Sequence, residues 1–315
     1  VEAGHQVTVY DSLVKGHRAA VPDGATLVQA DIGDRDALDR VLAGKRYDAV
    51  IHFAAFIEAG ESMLDPGRYF HNNTFKSHTL IQAAVDHGVG RFLLSSTAAV
   101  YAGKNSPLDE NDRLEPANVY GHSKWMIEQM LEWYRRIHGL HYAALRYFNA
   151  SGAAPGRGEA HSPETHLIPL TLQVALGQRE MIRVYGADYP TPDGTCIRDY
   201  IHVQDLASAH LLAVEALGQQ DRLVYNLGNG AGYSVQQVIQ VAREVTGRPI
   251  PALATDRRPG DAPILVASSE RINHELGWRP RYPGLHTIVE TAWEWHRSHP
   301  HGYAEAPAGQ QQERQ

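Results

Sequence analysis

Short apolar runs rich in Val, Ile and Leu alternate, in the first half of the chain, with segments whose apolar residues recur at helical spacing. The runs predict strands at 6–10, 25–31, 47–55, 91–96 and 142–149, and the spacing predicts helices at 34–44, 66–87 and 119–138. Strands that are apolar on both faces and alternate with helices favour a parallel sheet covered on both sides. The pattern therefore predicts an α/β fold with a doubly wound parallel sheet.

Beyond residue 150 the pattern changes, and a smaller second domain is expected. Gly, Pro and Tyr become common at 186–195, and helices such as 203–217 are interspersed with short strands. We assign residues 1–150 to the first domain and 151–303 mainly to a second, with 198–230 returning to the first because 223–230 again resembles a buried strand. The tail, 304–315, has little to pack and is expected to be disordered.

The start of the chain carries the first functional signal. Val1–Gly4 is predicted to be the tail of a helix that Gly4 ends in the left-handed conformation, and the following strand ends at Asp11. Such a strand is typical of a dinucleotide-binding unit, where the carboxylate binds the adenosine ribose and a glycine-rich loop lies roughly 20 residues earlier. Counting back from Asp11 passes Val1. We therefore expect a fragment or truncated gene model, a Rossmann-type sheet with two exposed strand edges, and weakened cofactor binding.

Three residues predict proton-transfer chemistry. Tyr120 and Lys124 are four residues apart and share one helix face, while Thr97 ends a predicted parallel strand, where doubly wound folds bind ligands. A neighbouring ammonium favours the phenolate, so we expect the pKa of Tyr120 to be lowered toward neutrality. Such a pair also occurs by chance on amphipathic helices, and Asp11 and Asp31 are alternatively turn formers. Their occurrence together favours the catalytic and cofactor roles.

The composition of the chain indicates which binding partners and which cellular compartment to expect. With 29 basic and 36 acidic residues among 315, the chain is mildly acidic, which argues against a nucleic-acid surface. The single cysteine, Cys196, fits a reducing cytoplasm. No apolar run reaches the roughly 18 residues of a membrane helix, so no membrane partner is expected.

A series of motifs in order resembles the extended short-chain dehydrogenase/reductase family, and within it the sugar-nucleotide epimerases. The motifs are VIHFAA (50–55), SSTAAVY (95–101), YGHSK (120–124), LRYFNASGA (145–153), GADYPTPDGTCIRDYIHVQDLA (186–207), RRPGDAP (257–263) and WHRSHPHGY (295–303). The resemblance covers nearly the whole chain. It implies a bound NAD, a homodimer built on the two long helices, no metal, and the interconversion of UDP-glucose and UDP-galactose through a 4-keto sugar.

The resemblance also implies roles for individual residues. Tyr120 would be the catalytic base, Lys124 would hold the nicotinamide ribose, and Thr97 would bind the sugar 4-hydroxyl. The implied cofactor residues are Asp11, Ser12, Leu13, Asp31, Ile32, Phe53, Ala54, Ala55, Asn72, Tyr120, Lys124 and Phe148. The implied substrate residues are Thr97, Asn149, His166, Leu167, Val184, Tyr185, Arg198, Arg258 and Asp261, with the two arginines anchoring the diphosphate.

Several alternatives remain open. Related dehydratases carry acidic residues directly after the Ser/Thr, whereas Ala98 and Ala99 stand here and cannot move protons. Two positions depart from the common pattern: Ile57 replaces a frequent lysine near the cofactor, and Leu265 replaces a bulkier tyrosine, which would admit an N-acetylated sugar. The remaining alternatives are an epimerase for N-acetylated or uronic UDP-sugars, a reductase, and a cofactor-poor relative with a binding or sensing role.

Overall fold

The computed structural model describes residues 1–104, 106–258 and 261–303. The predicted disorder of 304–315 lies outside the described residues. Within the described part, no helix is long and apolar enough to cross a membrane.

Twelve short strands are present in the described part of the chain. They are β1 (Thr8–Asp11), β2 (Thr26–Gln29), β3 (Val50–His52), β4 (Arg91–Thr97), β5 (His141–Tyr147), β6 (Asn149–Ser151), β7 (Ile182–Tyr185), β8 (Ile197–His202), β9 (Arg222–Leu227), β10 (Gly232–Ser234), β11 (Ala252–Thr255) and β12 (Ile264–Leu265).

The α-helices of the described residues alternate with these strands. They are α1 (Arg35–Ala43), α2 (Ala59–Ser62), α3 (Pro66–Tyr69), α4 (Lys76–Asp86), α5 (Val119–His138), α6 (Leu167–Ala175), α7 (Val203–Ala216), α8 (Val235–Thr246), α9 (Glu270–Glu275) and α10 (Leu285–Ser298). A π-helical segment, Phe70–Phe75, joins α3 to α4, so the single helix predicted at 66–87 is helical throughout but not regular.

The main sheet is parallel and has the order β3-β4-β5-β9. Successive residues of β4 point to opposite faces: Phe92 and Leu94 pack with α4 and α5, whereas Leu93 packs with α7. Both faces are therefore covered by helices, and the predicted doubly wound α/β fold is confirmed.

The first two strands form a sheet of their own. β1 pairs in parallel with β2, and neither pairs with β3 within the described residues. One edge of β1 and one edge of β3 consequently lack a strand partner, as the sequence predicts. The expected helix tail at the start of the chain is wrong: Glu2–Gly4 form a turn, in which the Gly4 N–H bonds the Val1 carbonyl at 2.8 Å. Gly4 itself does adopt the left-handed conformation, with φ 86°.

The second half of the chain has a separate apolar core. Helices α6, α8 and α10 pack around β7, with Leu172, Ile239 and Ile288 fully buried among them. A small sheet of β8 with β6, β10 and β12 lies beside this core, and β7 pairs with β11. The division into two domains at residue 150 stays a prediction.

Candidate active site

The three predicted catalytic residues come from the end of β4 and the first turns of α5. Asn118 caps α5 by accepting a hydrogen bond from the Gly121 N–H at 2.8 Å. Gly121 lets the helix approach the strand end, since a Cβ there would lie 2.2 Å from the Ala99 carbonyl oxygen. This close approach places the Thr97 hydroxyl in hydrogen-bonding contact with the Tyr120 side chain.

The electrostatics of Tyr120 correct the prediction made from spacing alone. Burial raises the pKa of the Tyr120 phenol, the hydrogen bond with Thr97 lowers it, and the charge of Glu58 raises it further. Lys124 does not lower it: its ammonium donates to the Ser95 carbonyl at 2.8 Å. Burial of Lys124, whose side chain is among the least exposed in the chain, lowers its own pKa to about 8.

A buried polar network supports this arrangement from below. The Arg146 guanidinium on β5 makes a bidentate pair with Glu128 on α5, at 3.1 and 2.7 Å, and Glu128 also accepts from the Ser96 hydroxyl. Arg146 donates in addition to the Tyr101 hydroxyl at 2.7 Å, which donates in turn to Asn226 at 2.7 Å. The network ties α5 to three strands and fixes Thr97 relative to Tyr120.

The predicted adenosine residues lie at the ends of β1 and β2. The Asp11 carboxylate accepts from the Leu13 N–H at 2.7 Å and packs against Gly16, where a Cβ would lie 2.7 Å from its oxygen. Leu13 is held in the left-handed region, with φ 58°, so this turn carries backbone strain. Ser12 lies within the same turn.

Asp31 follows β2 and has a cationic partner. Lys76 donates to its carboxylate at 2.6 Å, and the Gly33 N–H donates at 2.7 Å. Burial opposes ionisation, but these two hydrogen bonds hold the pKa of Asp31 below its usual range. The neighbouring Ile32 packs against the core beneath α1 and α4.

Three of the remaining predicted cofactor residues, Phe53, Ala54 and Ala55, follow β3 directly and form an apolar surface. Phe53 is 58% exposed, with its ring 5.1 Å from that of His210, and Ala54 and Ala55 follow it. Asn72 donates to Asn73 at 3.1 Å. Phe148 is instead buried, in the small cluster that includes Ala98, Val100, Tyr101, Leu108 and Ala267.

Most of the predicted substrate residues line one cleft of about 1930 Å³. The members found there are Asn149, His166, Leu167, Tyr185, Arg198, Arg258 and Asp261. Thr97, Tyr120 and Lys124 are not part of its wall, but Ala117 and Asn118, just before Tyr120, are. The predicted catalytic residues therefore adjoin the cleft at the start of α5.

Val184 does not line the cleft, contrary to the prediction made from the resemblance. Its side chain is 1% exposed and packs in the core of the second half of the chain. Successive side chains of a strand point to opposite faces, so Arg183 and Tyr185 face the cleft instead.

Two cationic side chains with aromatic or acidic neighbours, Arg258 and Arg198, line the cleft. The Arg258 guanidinium lies 3.8 Å from the centre of the Tyr185 ring, and its hydrogen bond with the phenol lowers the pKa of Tyr185. Arg198 is mostly buried and its nearest carboxylate oxygen, on Asp261, is 3.5 Å away. These two guanidiniums suit a diphosphate, which accepts several charge-assisted hydrogen bonds.

A family model described as the NAD dependent epimerase/dehydratase family matches residues 1–228. The chain belongs to this family. The UDP-glucose 4-epimerase of Halalkalibacterium halodurans is 51% identical over 308 residues, which are 96% of this chain and 92% of that protein. A crystal structure of a UDP-glucose 4-epimerase is 46% identical, has a TM-score of 0.93, and covers 96% of this chain and 94% of its own. That of the Brucella ovis UDP-glucose 4-epimerase in complex with NAD is 42% identical, with a TM-score of 0.90 and coverages of 93% and 91%.

The side chains present fit the NAD of this epimerase/dehydratase family. Asp11 offers a carboxylate to ribose hydroxyls, Asp31 and Ile32 follow the neighbouring strand where they would flank the adenine, and the exposed Phe53 and Ala54 offer an apolar surface to an aromatic ring. Lys124 makes one hydrogen bond within the described residues although an ammonium has three donors. Its remaining N–H groups suit the hydroxyls of a second ribose.

The structure adds functional candidates that the sequence analysis missed. Glu58 influences the pKa of Tyr120, lines the cleft, and pairs with Lys15 at 3.1 Å. Lys15 comes from the turn that follows Asp11, so one ion pair links the adenosine end to the cleft. Lys15 and Glu58 are far apart in sequence, so no local pattern indicated this contact. A second group, Glu159, His161 and Glu164, shares the cleft loop with His166, and the acid- and histidine-rich run EAHSPETH (159–166) was the available signal.

Proposed function

We propose that this protein is an NAD-dependent 4-epimerase that interconverts UDP-glucose and UDP-galactose through a transient 4-keto sugar. The observation that carries the proposal is the placement of Thr97, Tyr120 and Lys124 beside a cleft that is also lined by Arg198 and Arg258. Family membership and the UDP-glucose 4-epimerases among the relatives support it. Ala98 and Ala99 favour epimerisation over elimination, because neither can act as an additional acid or base.

The residues divide the work between proton transfer and binding. Thr97 and Tyr120 together bind the sugar 4-hydroxyl, and the Tyr120 oxygen takes its proton and later returns it. When bound, NAD supplies a hydride acceptor, and its positive nicotinamide ring favours the phenolate. Lys124 binds and orients the ribose next to that ring. The walls of the cleft keep water away from the reactive ketone.

Epimerisation requires that the sugar turn over while the nucleotide stays in place. Arg198 and Arg258 hold the diphosphate, with Tyr185 stacked beneath the Arg258 guanidinium. Asn149, whose amide donates to the Asp199 carbonyl at 2.7 Å, presents a fixed side chain to the cleft. The sugar is bound only through neutral contacts such as those of its 4-hydroxyl with Thr97 and Tyr120, so after oxidation it can turn over and present its opposite face for hydride return.

Tyr120→Phe tests the proposal directly. We expect kcat for UDP-galactose to fall roughly 10²–10⁴-fold, as removal of a general acid–base group does, while the NAD content of the purified protein stays unchanged. Tyr134→Phe, on the same helix but bonded to Gln82, is the matched control and should keep its rate. A Tyr120→Phe variant with most of its epimerase rate would refute the assignment. A nearly NAD-free parent protein would favour the binding or sensing role instead.

The preferred sugar is part of the proposal. Leu265 belongs to β12 and packs with the cluster around Phe148, so it presents less bulk than the tyrosine of some relatives. Measurable turnover of UDP-N-acetylglucosamine at a rate near that for UDP-glucose would favour the alternative with an N-acetylated substrate. Turnover of UDP-glucose alone would exclude it.

We further propose a homodimer formed by α4, α5 and the π-helical segment. The exposed apolar side chains of Phe75, Trp133 and Ile137 lie on these elements. Phe75 also lines an apolar groove on the same elements, whose other lining residues are Phe70, His71, Thr74, His78, Met126 and Met130. Pairing two such faces would give a four-helix bundle with twofold symmetry. Sedimentation should show a dimer that Trp133→Glu converts to a monomer, and an unchanged distribution would refute this interface.

We also propose that the protein works in a reducing cytoplasm. Its single cysteine, Cys196, is buried and free. Fractionation of cells that express the native protein tests this location. Recovery outside the cytoplasm would refute it.

A further inference from the structure

Four metal-ligating side chains converge on one loop at the wall of the cleft. Glu159, His161, Glu164 and His166 each offer one ligand atom, and these atoms all lie within 4.8 Å of one another. At present they form two imidazole–carboxylate pairs, His161 with Glu159 and His166 with Glu164, the latter at 2.8 Å. Metal ligation requires both imidazoles to be neutral, and the two carboxylates then leave a charge of −2 that one divalent cation would neutralise.

The backbone of this loop is held by contacts from both ends of the chain. The Trp295 indole donates to the Glu159 carbonyl at 2.9 Å, and Lys15 donates to the Ser162 carbonyl at 2.9 Å. The His17 ring bonds the Ala160 carbonyl at 2.8 Å. The loop therefore presents its donors from a fixed backbone, and only side-chain rotations are needed to close a coordination shell.

A fifth side chain, the third histidine of this region, points independently to a missing ligand. His296 on α10 is only 8% exposed and lines the same cleft, yet its Nε2 atom has no hydrogen-bond partner among the described residues. Burial lowers the pKa of His296 and the charges of Glu164 and Glu159 raise it, so the ring lies within electrostatic range of the cluster; its neighbour Trp295 bonds the Glu159 carbonyl directly. A buried imidazole nitrogen without a partner is costly, and a metal-bound water would satisfy it.

We propose that Glu159, His161, Glu164 and His166 form a binding site for one divalent transition-metal ion of the zinc class, with His296 as a hydrogen-bond partner beside it. Mixed nitrogen and oxygen ligands at a partly buried position suit Zn²⁺ or Co²⁺ better than Mg²⁺ or Ca²⁺, which prefer oxygen alone. The ion would lock His166 and Leu167 at the wall of the cleft. The site is distinct from the proton-transfer residues and does not depend on the proposed epimerase activity.

Cobalt provides a direct spectroscopic test on the untagged, chelator-treated full chain. Titration with Co²⁺ should give visible d–d absorption that saturates at one equivalent and is displaced by Zn²⁺. His161→Ala and Glu164→Gln should each weaken Co²⁺ binding at least roughly 100-fold, more than loss of an outer-shell partner does. His296→Ala should weaken binding by a smaller factor.

The control is His274→Ala, which removes an exposed imidazole on α9 and should leave Co²⁺ binding unchanged. Circular dichroism of each variant establishes that it is folded, and Glu164→Gln replaces His161→Ala if the latter does not fold. Absence of saturable d–d absorption in the parent protein would overturn the proposal. Full binding in a folded His161→Ala or Glu164→Gln variant would overturn it equally, leaving two imidazole–carboxylate pairs as the role of the cluster.

Discussion

Lys124→Met should stabilise the nucleotide-free protein at neutral pH while removing the ammonium that serves the active site. Burial lowers the pKa of Lys124 from 10.5 to about 8. This difference is equivalent to about 3 kcal/mol, the cost of keeping the buried ammonium charged at pH 7. Methionine avoids that cost but loses the hydrogen bond to the Ser95 carbonyl, worth about 1–2 kcal/mol. We expect a net gain of about 1–2 kcal/mol in the free energy of unfolding.

The pH dependence of this gain is the sharper test. Between about pH 8 and 10.5 the unfolded parent binds a proton at Lys124 that the folded parent does not, so the stability of the parent rises with pH across this window. The variant has no such group, so its stability relative to the parent should fall by about 3 kcal/mol over the same range, which turns the advantage at pH 7 into a deficit of about 1–2 kcal/mol above about pH 10.5. Urea unfolding of both proteins from pH 7 to 11 measures the difference, in which all other titrations cancel.

The control for this series is Lys45→Met, which removes an exposed ammonium on the surface. Its stability difference from the parent should stay nearly constant with pH. A Lys124→Met difference that is equally constant would refute the claim that burial strains this lysine. Loss of epimerase activity in the stabilised variant would show that the active site holds the charge at the expense of stability.

Three further predictions concern residues that hold α5 in place. Glu128→Gln should lower the free energy of unfolding, measured in urea, by about 3–5 kcal/mol because it leaves the buried Arg146 guanidinium without a carboxylate. The double variant Glu128→Leu/Arg146→Met removes both charges and should recover much of that loss. Gly121→Ala should reduce kcat at least roughly 10-fold in a folded protein, since its Cβ would force α5 away from the Ala99 carbonyl; an unchanged kcat would contradict the 2.2 Å approach. Asn118→Ala should cost about 1 kcal/mol through loss of the helix cap, measured by urea unfolding, with Asn118→Asp as the conservative control.

The sequence predicts the scaffold well where the signal is local. Helix α5 begins and ends where the sequence predicts because Asn118 caps its start and Gly139, with φ 68°, ends it. The strands of the main sheet are recognisable because burial on both faces makes them continuously apolar. Thr97 and Tyr120 come together because the carboxyl end of a parallel strand and the start of the next helix are neighbours in any doubly wound fold.

The errors concern properties that depend on three-dimensional surroundings. The spacing of Tyr120 and Lys124 is correct, but the pKa of the phenol depends mainly on burial, which spacing does not reveal. Val184 shares a short strand with Tyr185, and the motif does not indicate which of them faces the cleft. The Lys15–Glu58 pair joins two loops with no local signal in either.

The hydrogen bonds that hold the backbone of the loop at 159–166 also bear on the order in which the protein folds. The loop's contacts from Lys15, His17 and Trp295 span 147, 143 and 136 residues of sequence, whereas the strand β4 pairs with the next strand along the chain. Closing such long segments costs chain entropy before any contact repays it. We therefore expect the loop contacts to form late, after the central sheet. The turn around Asp11 and the wall of the sugar cleft should then become ordered together in the last step of folding. Refolding protein should therefore regain its β-sheet signal before it regains the ability to bind nucleotide.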